Sequence, residues 1–283
     1  MNNKLEAKLS KLDATIFGEK NIEDSLAMLY HENSKFNLYK LRKDGQQIEA
    51  FNSPYIIAKA AQPYKIYPAN LSIDLGLYQM APKTSLYDIL NQRRSLRHYD
   101  ENYKISLNEL AYILYNSYGV TKTFKIAESL GVKGSWGLRN VPSAGGLYPL
   151  ELYVVILKGH INPGIYHYRA DTNVLELIAT GDFLDYLRDN MQCEPYVNIS
   201  AASAVILSTG IFERVAIKYG DRAYRFLIQE SGIVGQTITL LADSIGLGSC
   251  WIGAYIDDKI NELLGVDGVY ETVNNVIVVG KQK

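Results

Sequence analysis

The chain has 283 residues, enough to bury a sizeable core in one large domain or one and a half. Its 29 basic and 30 acidic residues leave a net charge of −1, so no bulk field recruits nucleic acid or an anionic membrane. Two distant cysteines, Cys193 and Cys250, exclude a disulfide framework and a zinc knuckle, and four scattered histidines lack metal-ligand spacing.

The N-terminal run "MNNKLEAKLSKLDATIF" is too polar for a signal peptide, and no stretch is apolar enough to span a bilayer. A cytoplasmic protein without a metal centre is expected. Residues 1–84 read as a partly helical N-terminal extension, interrupted late by Pro54, Pro63, Pro68 and Pro82. After a short helical start the lead-in is expected to be extended and irregular. A regular domain is expected over residues 85–283.

That domain opens with "SLYDILNQRRSLRHY", where Leu86, Ile89, Leu90 and Arg93 fall at helical spacing. The next helix begins at Ser106 and Glu109, a capping-box pair, with Leu110, Ile113, Leu114 and Ser117 on one face. "ELYVVIL" (151–157), "GIYHYR" (164–169) and "VLELI" (174–178) read as successive strands. "FLDYLRDN" is a short helix, and Ala204 to Leu207 make another strand. Residues 222–248 carry the longest helical pattern, its apolar face built by Phe226, Leu227, Ile233, Val234, Ile238 and Leu241 and its end set by Gly246 and Gly248. "DDKINELLG" is a further helix and "TVNNVIVVG" a closing strand. Helices mixed with strands in hairpin succession give an α+β fold class.

Four segments carry residues suited to chemistry. In "RRSLR" (93–97), Arg93, Arg94 and Arg97 with Ser95 match the oxygens of a phosphate monoester, though taken alone they read first as a solvated basic helix end. "KYGDRAYR" (218–225) offers Lys218 and Tyr219 as proton donors or acceptors, or a polar helix start with Asp221 as N-cap. "GLGSCWIGAY" (246–255) follows a helix, not a strand, and so fails as a dinucleotide fingerprint. Its small residues admit a ligand edge or simply make a turn, and Cys250 reads as a buried structural thiol. "RNVPSAGGLYPLELYVVIL" (139–157) places Pro, Ser, Ala and two glycines before a strand, a loop able to lie flat against something planar.

In order, "RRSLRHYD", "VPSAGGLYPLELYVV", "GIYHY", "KYGDRAYRF" and "GLGSCWIG" resemble the flavin-dependent nitroreductase superfamily, most closely its SagB-type branch of azoline dehydrogenases. The resemblance covers about residues 85–280, and "HENSK" (31–35) resembles that branch's N-terminal extension. It implies a nitroreductase-like fold, a central mixed or antiparallel sheet flanked by helices, in a homodimer with FMN at the interface. Arg93, Arg94, Ser95 and Arg97 would hold the phosphate and ribityl chain, with Lys281 and Lys283 adding charge. Pro142, Ser143, Ala144, Gly145 and Gly146 of the other subunit would lie on the flavin ring. Ile252, Gly253 and Ala254 would pass near its reactive face. Nitroreductases proper often carry an acidic residue and glycine where this chain has Gly253 and Ala254, and "PSSxNxQPW" where it has "PSAGGLYPLEL"; both departures point to the SagB-type branch.

The branch's catalytic Lys-Tyr pair corresponds to Lys218 and Tyr219, with Arg222 and Arg225 expected to lower the lysine's proton affinity. The implied reaction oxidises thiazoline or oxazoline rings of a ribosomal peptide, a proton leaving to a base and a hydride to FMN. The implied partners are a modified precursor peptide and either a cyclodehydratase or a lanthipeptide synthetase. Two alternatives stand beside it. One is an NAD(P)H-dependent reductase of dehydroalanine or dehydrobutyrine in lanthipeptides; the other is a general nitroreductase-like or non-catalytic flavin-binding subunit.

Overall fold

The computed structural model describes residues 25–35, 37–39, 42, 53–126 and 133–283. The expected polar, helical start over the first residues lies outside them. Nine strands are described: β1 (Ser72–Asp74), β2 (Val120–Lys125), β3 (Ser135–Arg139), β4 (Leu150–Ile156), β5 (Gly164–Arg169), β6 (Val174–Thr180), β7 (Ala204–Ile211), β8 (Gly248–Ile252) and β9 (Glu271–Gly280). The described helices are α1 (Leu26–Asn33), α2 (Pro54–Ala60), α3 (Leu86–Gln92), α4 (Leu107–Tyr118), α5 (Leu184–Asn190), α6 (Glu213–Tyr219), α7 (Ala223–Ser244) and α8 (Asp257–Leu264).

Seven strands form one sheet in the order β1-β6-β5-β4-β7-β9-β8, and every pairing is antiparallel. The α+β expectation holds, with the sheet antiparallel throughout these pairings. β2 and β3 form a separate hairpin that the sequence pattern does not announce. The alternation of side chains along a strand sends β4 and β7 residues to both faces. Val154, Ile156 and Ile206 pack with Leu110, Ile113 and Leu114 of α4 and Val234 and Ile238 of α7. Val155, Val205 and Leu207 pack instead with Leu187 of α5 and Ile260 and Leu264 of α8. Each such side chain contributes about 1.5–3 kcal/mol by leaving water.

The capping box of α4 forms as expected: Ser106 Oγ accepts from Glu109 N, and the Glu109 carboxylate accepts from Ser106 N at 2.8 Å. Two expectations for α7 need correction. Its buried stripe runs Leu227, Glu230, Ser231, Val234, Ile238 and Ala242, leaving Ile233 exposed. Nor does Asp221 cap it: residues 220–222 form a 3₁₀ turn, and the cap position is Arg222 without a side-chain cap bond.

The lead-in is held to the sheet by charge. On one face, His167 of β5 stands between Glu151 of β4 and Glu176 of β6, each at 2.9 Å and all buried. The backbone N–H of Lys65 donates to Glu151 and that of Tyr67 to Glu176. Lys65 Nζ pairs with Glu271 of β9 at 2.7 Å. β1 then pairs with β6, so the sheet's hydrogen bonds cross the expected 84/85 boundary.

Candidate functional site

Two clusters of the expected site residues form, at opposite ends of α7. The first surrounds the turn after α3. That helix stops at Arg93, whose backbone leaves helical geometry, and Leu96 N then donates to Ser249 O of β8 at 2.9 Å. Gly248 permits this docking, since a Cβ there would meet Leu96 Cδ2 at 2.5 Å. Arg93, Arg94 and Ser95 thereby line a hollow of about 420 Å³ with Gly246, Gly248, Gln282 and Asp243.

Arg94 donates to the carbonyls of Asn91 and Arg93, at 3.3 and 2.7 Å, and so caps the end of α3. Lys281 Nζ donates to Gly246 O at 2.5 Å, which brings its charge to the rim of this hollow. Arg97 is not among the lining residues: its guanidinium donates to Ser95 O at 3.4 Å, and its charge acts on Tyr99 and Cys250. Lys283 is exposed beyond the last strand. β8 leads from this hollow to Ile252, which is buried, then to Gly253, where a Cβ would meet no atom within 4 Å. Ala254 O accepts from Gln192 N at 2.8 Å, tying the strand's exit to the segment after α5.

Asp243, in the last turn of α7, is a member of this cluster that sequence reasoning misses. Burial lifts its carboxyl to about 6, against the pull of Arg93. A carboxylate at a helix C-terminus opposes the dipole, and that placement is the available signal.

The second cluster joins the Pro142–Gly146 loop to the end of α6. Gly145 and Gly146 both adopt φ of +66°, a conformation that suits glycine. A Cβ on Gly145 would sit 3.0 Å from Tyr219 Oη and 3.3 Å from Lys218 Nζ. The loop's other contacts hold it in place. Trp136 Nε1 donates to Gly146 O at 3.1 Å, and Ser143 Oγ accepts from Tyr148 N at 2.9 Å. Beneath it, Ser143 and the Tyr118 hydroxyl hydrogen-bond to Glu230, buried on α7. Burial raises the Glu230 carboxyl to about 7, opposed by those bonds and by Arg139. Burial also pushes the Tyr219 phenol up. Arg222 and Arg225, expected to flank Lys218, donate to Ser34 and His31 of the α1 segment.

The residues fit FMN. The first cluster offers guanidinium, ammonium and hydroxyl donors around a hollow, as a phosphate requires. The second presents glycine backbone next to Lys218 and Tyr219, and Gly253 leaves open space along β8. α7 separates the clusters: its 22 residues span about 33 Å, so they stand far apart on one chain.

Comparison with known proteins agrees with this reading of the fold. The Nitroreductase family profile matches residues 90–281. The chain belongs to the nitroreductase family. MJ1384 of Methanocaldococcus jannaschii, named as a nitroreductase, is 33% identical over 183 residues, covering 64% of this chain and 84% of that protein. The microcin B17-processing protein McbC of Escherichia coli is 29% identical over 135 residues, spanning 46% of this chain and only about half, 49%, of McbC. Among solved structures, a nitroreductase-class protein of Anabaena variabilis superposes with a TM-score of 0.67 at 27% identity, covering 90% of this chain and 46% of that one. A chain of the E. coli microcin synthetase McbBCD complex, solved with truncated pro-MccB17 bound, shares the fold, with a TM-score of 0.56 at 18% identity over 99% of this chain and 91% of that one. Among the described residues no helix is long and apolar enough to cross a membrane.

Proposed function

We propose that the chain is an FMN-dependent dehydrogenase of the SagB type that oxidises thiazoline or oxazoline rings of a ribosomal peptide to thiazoles or oxazoles. The observation that carries this reading is the convergence of Lys218 Nζ and Tyr219 Oη on the glycine surface at Gly145. Bound FMN supplies a hydride acceptor, with dioxygen as the terminal oxidant. Aromatising an azoline also requires removal of a proton from the neighbouring carbon, which the protein itself must take. Tyr219, with its phenol pushed up by burial, stays protonated at neutral pH and serves as donor and orienter. Lys218, whose amine lies beside it at Gly145, is the other group of the pair within reach of that proton. Arg93, Arg94 and Ser95, with Lys281 at the rim, hold the phosphate and ribityl end in this reading; Arg97, outside the hollow, adds its charge from the same turn. Ile252, Gly253 and Ala254 face the reactive edge.

The separation of the clusters supports a homodimer in which each flavin site takes the arginine cluster of one subunit and the Pro142–Gly146 loop with Lys218 and Tyr219 of the other. α3 and α7, which pack together, leave Leu86, Tyr87, Leu90, Ile228 and Ile233 exposed, apolar area suited to burial between copies. On the helix that ends in Lys218 and Tyr219, a hollow of about 580 Å³ between α2 and α6, lined by Tyr64, Leu147, Ala216 and Ile217, gives an extended peptide room. The likeness to a microcin-processing protein supports a peptide substrate. An azoline must be made before it is oxidised, so a cyclodehydratase is the partner, acting in the cytoplasm. In this reading residues 85–283 are the flavin-binding unit and 1–84 an N-terminal extension.

Mass spectrometry of short azoline peptides incubated with the flavin-loaded protein tests this. Loss of two hydrogens per ring is the expected result. Gain of two hydrogens by a dehydroamino acid with a nicotinamide donor would instead establish the reductive reading. Protein that retains no FMN after its addition would overturn both.

A further inference from the structure

The "HENSK" run (31–35) has no place in the chemistry above, yet it is bonded to the segment that follows the Lys218–Tyr219 pair. Ser34, just beyond α1, is 3% exposed on a segment whose Leu26 and Leu29 face solvent. Its Oγ accepts from Arg225 Nε at 2.8 Å and its carbonyl from the Arg222 guanidinium at 3.2 Å. The His31 carbonyl accepts a second bond from Arg225, at 2.6 Å. The last carbonyls of a helix lack intrahelical partners and sit at its negative end, so two guanidinium groups satisfy them well. Tyr30 completes the contact. Its hydroxyl donates to Asp221 O at 3.1 Å, and its ring meets Tyr224 edge-on at 5.5 Å.

Asp221, Arg222, Tyr224 and Arg225 are separated from Lys218 and Tyr219 by Gly220, whose φ of +53° and ψ of −140° suit only glycine. The start of α7 has no side-chain cap of its own. Its 3₁₀ turn is therefore held from outside, by α1. On the other side of Gly220, the lysine and tyrosine tips stand 3.0–3.3 Å from where a Gly145 Cβ would be. A shift of that turn by an ångström would carry the pair off its surface, and misplacement on this scale costs about 100-fold in rate.

We propose that Ser34, acting through Arg225 and Arg222, is a positioning residue for the Lys218–Tyr219 pair. The proposal rests on the reading of that pair as the acid–base machinery. Ser34 touches neither substrate nor flavin; it fixes the turn that directly follows the pair at the end of α6. A role confined to stability would lower the melting temperature and leave turnover below it unchanged.

The test uses the full-length, FMN-loaded protein with Ser34→Ala, Arg225→Met and the hydroxyl-retaining Ser34→Thr. Three quantities are read: azoline oxidation well below each melting temperature, FMN affinity, and amide hydrogen exchange across residues 213–222. Ser34→Ala and Arg225→Met should speed exchange over that segment and lower kcat about ten-fold or more, with KM and FMN affinity within about two-fold. Ser34→Thr should restore both. Turnover within about two-fold of wild type in both disrupting variants would overturn the proposal, as would unchanged exchange. Wild-type protein that oxidises no azoline would end the proposed reaction separately. The clamp would then stand or fall on the exchange measurement.

Discussion

Gly145 is the position where one atom decides most. Its φ of +66° strains any other residue, and a Cβ there would press on Lys218 Nζ and Tyr219 Oη at 3.0–3.3 Å. Gly145→Val should cost roughly 1–3 kcal/mol of stability from strain, leave the circular dichroism of the fold intact, and abolish the flavin absorbance of the purified protein. At the other cluster, replacing Arg93 and Arg94 by alanine should weaken FMN binding by about 1.5–3 kcal/mol for each charge-assisted phosphate bond removed, read by fluorescence titration. Glu230 makes a pH prediction. Its folded carboxyl, at about 7, lies above its unfolded value of 4.5, so the folded state binds more protons between those values. That contribution is full below pH 4.5 and is lost as pH rises to about 7, on the order of 3 kcal/mol in all. Tyr118, Ser143 and Arg139 are the polar groups facing it. Glu230→Gln should therefore flatten the fall in urea midpoint between pH 5 and pH 8.

At the scale of elements, the sheet's ionic face sets the stability of the lead-in's docking. Burial opposes ionisation of Glu151, yet Arg214 and His167 hold its carboxyl down to about 2. Removing the ring in His167→Ala leaves two buried carboxylates without the group that stood between them, and should cost about 3–5 kcal/mol by denaturant titration. Such a network is not legible in sequence, because Glu151, His167 and Glu176 lie on three strands and meet only through register. What is legible has local causes. The capping box at Ser106 and Glu109 needs only three-residue spacing, and "GIYHYR" is bounded by turn residues, so β5 falls at residues 164–169. β2 escapes because "VTKTFK" is almost entirely exposed, with no alternation of buried side chains to mark it. Glu230 escapes for the opposite reason: a carboxylate within an apolar stripe reads as surface until Ser143 and Tyr118 are seen against it. The motifs "RRSLR", "PSAGG" and "KYGDR" each admit a bland account, and the structure makes them two clusters, the second a direct contact between loop and helix end.

At the scale of the whole molecule, one working site of the proposed enzyme needs two copies of the chain, joined so that the arginine cluster of one meets the Lys218–Tyr219 cluster of its partner. The length of α7 makes this separable by mutation. A Lys218→Ala subunit lacks the acid–base half and an Arg93→Ala/Arg94→Ala subunit lacks the phosphate half. Either variant alone should be inactive toward an azoline peptide. Refolding or exchanging the two together places both defects in one site of each mixed dimer and leaves the other site intact. An equal mixture in which subunits pair at random should recover about a quarter of wild-type azoline oxidation, read as loss of two hydrogens from the peptide. A mixture of freely exchanged subunits that stays as inactive as its parents, beside an active wild type, would contradict the shared site.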